Sequence, residues 1–240
     1  MKFSVIMLVM VFAFGTESAM AFTWPWKRPK KEKPAPQQPL DPWSQYIQNF
    51  STVAQAQQVR PEAVARTVSF LQTGKAQLES RIVNRRYVTV ADMTQQSTEK
   101  RLIVLDLQTG SAARFLVSHG WGSGFGPKVY HCSNRPNSKE TPPGFMLIGN
   151  EKTQTQFGNA LYLYSLEPRN DNSYARTIIF HPNKTAAEAQ FMMKRDGYLN
   201  MSEGCTQLTR EDYSTLKPLV RDGSLLYNFC PEDLDGRTTL

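Results

Sequence analysis

The chain has 240 residues, a formal net charge of +7, and only three cysteines and three histidines. Those few thiols and imidazoles, with no CxxC or HExxH spacing, argue against a metal centre and against a CxxC redox protein. The basic balance points to anionic polymers or membrane surfaces. Nucleic acid fits on charge alone, but no nucleic-acid-binding motif accompanies it.

Residues 1–21 read as a secretory signal peptide. Lys2 gives the positive start, Phe3 to Phe14 an apolar stretch, and Ala19-Met20-Ala21 a small-x-small cleavage pattern. The apolar stretch is too short to span a bilayer, which needs roughly 20 residues. The expectation is an exported protein of the periplasm or cell envelope without a transmembrane anchor. Residues 22–42 are rich in Pro and Lys and predict an extended basic linker.

Residues 43–80 predict a helical segment packed on the main domain. In "PEAVARTVSFLQTG", Pro61 and Glu62 suit a first helical turn, Val64, Val68 and Leu71 fall on one face, and Gly74 ends the run. Residues 81–230 predict the main domain. "RYVTVADM", "RLIVLDL" and "RFLVSHG" read as strands, the last two joined through Gln108-Thr109-Gly110 as a hairpin. "GFMLIGN", "ALYLYSL", "RTIIFHP" and "GSLLYNF" follow as further strands. Helices are expected at about 186–195 and over "REDYSTLKPLV", and residues 231–240 form a tail. The fold class implied is mostly β with peripheral helices, a sandwich or barrel in a single domain.

Three cysteines in an oxidising compartment leave one thiol over. Cys132 and Cys230 are available to pair, with a core-filling Cys132 as the alternative; Cys205 in "NMSEGCTQLT" is the leftover. His181, at the end of a predicted strand, offers a base. Gly204 allows a tight turn that aims its amide and that of Cys205 at a developing oxyanion. An imidazolium nearby lowers a thiol pKa, and Glu203 pushes the other way. A Ser-His-Asp hydrolase has weak support, because no GxSxG occurs. On these residues alone three readings of Cys205 stand side by side: a nucleophile, half of a disulfide and a small buried hydrophobe.

From about Ala63 to Phe229 the chain resembles the murein L,D-transpeptidase catalytic domain of the YkuD-like superfamily. The stretches that carry the likeness are "VSHGWGSG", "CSNRPNSKETPPGFMLIG", "GNALYLYSLEPRNDNSYARTIIFH" and "MSEGC", in that order. The resemblance implies a β-rich fold and a cysteine acyltransferase acting on peptidoglycan stems, with no cofactor. Cys205 becomes the nucleophile, His181 the base, Gly204 and Cys205 the oxyanion amides, and Ser202 the residue shaping the loop. His119, Gly120, Asn134, Ser138, Arg176 and Glu203 become candidate substrate-binding residues. His119 is equally a structural or a His181-orienting residue, and Arg176 grips a stem carboxylate or pairs with Asp171 or Glu167. The implied donor is a tetrapeptide stem, the acceptor a second stem's amine forming a 3→3 cross-link, and carbapenems the covalent inhibitors. Water as acceptor makes an L,D-carboxypeptidase, and a lipoprotein amine makes an anchoring enzyme. A non-catalytic wall-binding module is the alternative outside enzymes. Glu203, Thr206 after the cysteine and Pro182 after the histidine depart from the family's usual residues.

Overall fold

A β-strand sends alternate side chains to opposite faces, and in this chain both faces of one sheet are apolar. The computed structural model describes residues 39–154 and 158–234. The expected signal peptide, most of the linker and the end of the tail lie outside the described residues. Eight strands, β1 (Tyr87–Asp92), β2 (Leu102–Asp106), β3 (Ala112–Phe115), β4 (Gly144–Gln154), β5 (Gly158–Ser165), β6 (Ile179–Pro182), β7 (Thr206–Leu208) and β8 (Ser224–Phe229), form one sheet. Its order is β3-β2-β1-β8-β4-β5-β6-β7. Pairing is antiparallel except for β1 with β8 and β6 with β7. Beyond β3 the chain crosses to the far edge, where Ser118 N–H donates to the Gln207 carbonyl at 3.1 Å. The sheet therefore curls into a nearly closed barrel.

Inside the barrel, Leu102, Val104, Met146, Ile148, Leu161, Leu163, Phe180 and Leu226 pack with Tyr213, Leu216 and Val220. The last three come from the helix α5 (Arg210–Val220), counted after α1 (Pro42–Ala56), α2 (Pro61–Thr73), α3 (Lys75–Leu78) and α4 (Ala186–Asp196). On the outer face, Val88, Val90, Ile103, Leu105, Phe145, Leu225, Tyr227 and Phe229 are buried together with apolar residues of α1, α2 and α3. Phe145 stacks between Phe70 and Tyr227, with ring centroids 3.9 and 4.0 Å away. Fully burying such a ring contributes about 1.5–3 kcal/mol.

Local chemistry fixes the helix ends. Asp41 caps α1 by accepting from the Trp43 and Ser44 amides. Pro61 opens α2, Thr185 and Glu188 make a capping box for α4, and Gly197 ends α4 in the left-handed region. The helical segment expected after residue 43 is thus present, broken into separate helices where Gln58 turns at a φ of +55°.

Three expectations change. The strand expected through "RFLVSHG" stops at Phe115, because Ser118 bonds across to β7 instead of continuing beside β2. The strand expected at Arg176 starts at Ile179, because Thr177 has a φ of +56°. β7, directly after Cys205, was not foreseen. Three residues are too few for alternation to show.

Candidate active site

The site lies on the outer face of β6 and β7, beyond the part that the helices cover. In parallel register Phe180 lies opposite Thr206 and His181 opposite Gln207. Phe180 and Leu208 point into the barrel, so the alternate residues His181 and Gln207 point outward. The same register continued by one step sets Cys205 beside Ile179. His181 and Cys205 thus share one face as diagonal neighbours, with Cα atoms roughly 8 Å apart from ordinary strand spacing and rise.

The thiol is partly exposed, and its Sγ reaches the Thr177 carbonyl at 3.5 Å. Burial pushes its pKa up from the ordinary value, as does the Glu203 carboxylate; the Ile179 amide and the Arg176 guanidinium pull it down. His181 is buried, which pushes its pKa down, and its Nδ1 donates to the Pro182 carbonyl at 3.0 Å. A carbonyl only accepts, so Nδ1 carries the proton and Nε2 holds the basic lone pair. Both shifts favour a neutral thiol and a neutral imidazole. Neither shift favours the expected imidazolium-activated thiolate.

The loop before Cys205 is held on both sides. Ser202 N–H donates to the His119 carbonyl at 2.8 Å, and Trp121 N–H donates to the Ser202 carbonyl at 2.9 Å. The Ser202 hydroxyl donates to the Cys205 carbonyl at 2.7 Å and accepts from Gly204 N–H at 3.1 Å. The Ser202 hydroxyl thus bridges the two residues that follow Glu203. The Gly204 amide is already engaged by that hydroxyl, so the expected pair of oxyanion donors reduces to the Cys205 amide. Gly204 adopts a φ of +111°, and a Cβ there would lie 2.6 Å from the Glu140 carbonyl oxygen, so only glycine fits.

"HGWGS" is a backbone-packing motif. A Cβ on Gly120 would lie 2.2 Å from the Lys139 carbonyl, and one on Gly122 2.1 Å from that of Ser138. Gly120 N–H donates to Thr141 Oγ1 at 2.9 Å. His119 is fully buried and cannot touch a substrate, which corrects its assignment to the binding groove. The buried Arg101 donates to its Nδ1 at 2.9 Å, and burial with that guanidinium pushes its pKa down to about 4. His119 is therefore a neutral buttress whose carbonyl anchors the Cys205 loop.

Arg176 forms no ion pair with Asp171 or Glu167. Its fork donates to the Ser133 and Glu140 carbonyls, clamping one loop beside Gly204. Asp171 instead accepts from Asn134 Nδ2 at 2.6 Å, and Glu167 accepts from Phe145 N–H at 2.7 Å. Asn134 therefore ties two loops together, and the Ser138 hydroxyl accepts from Glu140 N–H at 3.3 Å. Both lie in the loop framework, not beside the thiol. Glu203 is exposed and pairs with Lys139 at 2.8 Å, whose ammonium also lies over the Trp121 ring.

Cys132 and Cys230 are joined as a disulfide that pins this loop layer to the end of β8. His131 is exposed but bonds Glu140 at 2.8 Å. Among the described residues, the cluster Cys132, Cys230 and Glu232 is compact enough for a cation, but its sulfurs are spent in the disulfide. Sequence reasoning missed Arg101 and Lys139. An arginine heading a buried strand signals the first; the second carries no signal before the loops are folded.

The profile of the L,D-transpeptidase catalytic domain matches residues 55–229. No curated protein matches. Among solved structures, L,D-transpeptidase 3 from Mycobacterium tuberculosis is 15% identical, with 60% of each chain covered and a TM-score of 0.38. The L,D-transpeptidase from Mycobacterium smegmatis is 13% identical, covering 60% of this chain and 58% of that one at a TM-score of 0.37. The enzyme from Stackebrandtia nassauensis is 14% identical, with 75% of each covered and a TM-score of 0.36. The chain spans less than two thirds of the length of the mycobacterial proteins. The profile match runs from the end of the first helix to the last strand and takes in the Cys205 loop, His181 and the glycine motif, so the chain belongs to the L,D-transpeptidase catalytic domain family.

Proposed function

We propose that this protein is an exported peptidoglycan L,D-transpeptidase that joins stem peptides through a thioester on Cys205. The observation that carries the reading is the placement of His181 and Cys205 on one face of two adjacent parallel strands, with His181 Nδ1 bonded to a carbonyl. That bond fixes the tautomer in which Nε2 carries the basic lone pair, the form a general base for the thiol requires.

A tetrapeptide stem lies with the carbonyl of its third residue at Sγ. His181 Nε2 takes the thiol proton as sulfur attacks, and the Cys205 amide faces the oxyanion. The tetrahedral intermediate collapses, the terminal D-Ala leaves as an amine protonated by His181, and a thioester remains. The side-chain amine of a second stem then attacks the thioester and gives its proton to His181. The thiol is released, and the product is a 3→3 cross-link. Water in place of the amine gives the tripeptide of an L,D-carboxypeptidase. Shifts of both groups towards their neutral forms suit this order, in which the proton moves as the acyl group is attacked.

The test is turnover of a defined disaccharide-tetrapeptide, with products resolved by mass. A dimer lacking one D-Ala supports transpeptidation. Tripeptide alone assigns carboxypeptidation, and recovery of unchanged substrate with wild-type protein rejects both.

A further inference from the structure

The outer face that carries Cys205 continues onto β5 and β4, and there it presents an aromatic cup around one lysine. Leu161 and Leu163 point into the barrel, so Ala160, Tyr162 and Tyr164 point outward. Tyr162 lies opposite Ile179, and Ile179 neighbours Cys205. The cup is therefore on the thiol's own face, roughly 10 Å away at two strand spacings.

Tyr174, from the loop that also supplies Thr177, closes the cup. Its ring stacks on Tyr164 at 5.5 Å and 16°, and lies 5.5 Å from Tyr162. Lys152 of β4 places its ammonium 4.9, 5.9 and 5.8 Å from the centroids of Tyr162, Tyr164 and Tyr174. The neighbouring Glu151 is taken by Lys217 at 2.8 Å. Among the described residues Lys152 faces rings and no carboxylate. Ring faces and the Tyr164 hydroxyl, which accepts a hydrogen bond from the ammonium, orient Lys152 without neutralising it. Exposed Lys152 and half-exposed Tyr174 leave the cup open to solvent.

We propose that this cup binds a free carboxylate of the stem peptide, the α-carboxylate of the residue just before the one acylated on Cys205. The inference rests on the transpeptidase reading above. Three extended main-chain bonds advance about 3.3–3.6 Å, and seven bonds separate the acylated carbonyl carbon from that carboxylate when the preceding residue is linked through its side chain, so a stem running from Sγ across β6 carries it roughly 8 Å, to the rim of the cup at Tyr162. Stem peptides carry a free acid there, because the second residue is linked through its side-chain carboxyl. Lys152 accordingly sets stem affinity and the choice between acidic and amidated stems, without touching the reacting atoms.

The test measures KM and kcat for disaccharide-tetrapeptides with that carboxylate free or amidated, in wild type, Lys152→Met and Lys152→Arg. Expected are an acid-stem KM about tenfold higher in Lys152→Met, an unchanged kcat, an amidated stem insensitive to the change, and recovery in Lys152→Arg. Equal KM values for the two stems in wild type overturn the proposal. So does a Lys152→Met loss shared by both stems, which would mark sugar stacking or general packing. Iodoacetamide labelling of Cys205 at the wild-type rate shows that the variant keeps its fold. Calorimetric titration of Cys205→Ala with both stems decides binding without turnover: tighter acid-stem binding that needs Lys152 supports the site, and equal binding rejects it. Failed turnover with retained acid-selective binding would count against the transpeptidase chemistry and leave the recognition site standing.

Discussion

One face of one sheet is used in two ways. Over β1, β2, β8 and β4 it carries valine, leucine and aromatic rings, and helices α1 to α3 bury them. Over β5, β6 and β7 it carries Tyr162, Tyr164, His181 and Cys205, and the neighbouring cover comes from loops, with the Thr177 carbonyl against Sγ and Arg176 and Glu140 against Gly204. The strand period decides only which face a residue joins. What lies over that face decides whether it becomes core or chemistry. Helices give a dry surface, whereas hydrogen-bonded loops fix a reactive side chain and leave it partly exposed.

The largest effect expected belongs to the loop-covered half. Cys205→Ala should lower stem turnover by about 10⁴-fold or more, with the melting temperature retained; full activity in that variant would put the chemistry elsewhere. Next comes the bond that ties the loops to the barrel. Replacing both Cys132 and Cys230 with serine opens a link across a sequence separation of 98 and should cost about 3–5 kcal/mol in denaturant melts. Hydrogen exchange should rise most in residues 116–143, sharpening the contrast with the helix-covered half.

His119 makes the loop half sensitive to acid. Its pKa is about 4 when folded and about 6.5 when unfolded. Below pH 6.5 the unfolded chain binds a proton that the folded one refuses, so stability falls as pH drops towards 4, by about 3 kcal/mol in all. His119→Gln should flatten that slope, and an unchanged slope would assign it to other groups. Ser202→Ala removes both hydroxyl bonds of the loop and should lower kcat about 10- to 100-fold with little change in melting. The smallest effect is electrostatic. Glu203→Gln should move the Cys205 thiol pKa down, read from the pH dependence of iodoacetamide labelling, because a repelling carboxylate is removed.

Much of this was legible in the sequence because alternation and capping are local. β1, β2, β8 and α2 follow from apolar spacing and from Pro61, and "SEGC" with "IIFH" marks the two residues proposed to react. The loop half was less legible. His119 looked like a groove residue because nothing local reveals Arg101 behind it. Arg176 looked like a carboxylate ligand because a sequence does not show the carbonyls of Ser133 and Glu140 converging on its fork. Gly204 looked like an oxyanion donor until the Ser202 hydroxyl took its amide. Each miss concerns partners that distant segments bring together.

The central claim, that His181 and Cys205 form an acyl-transfer pair on a shared strand face, is tested most directly by intact mass after incubation with a carbapenem. The account predicts one adduct per chain in wild type, none in Cys205→Ala, and formation slowed about 10²- to 10⁴-fold in His181→Ala. No adduct in wild type, or an adduct that persists in Cys205→Ala, would contradict it.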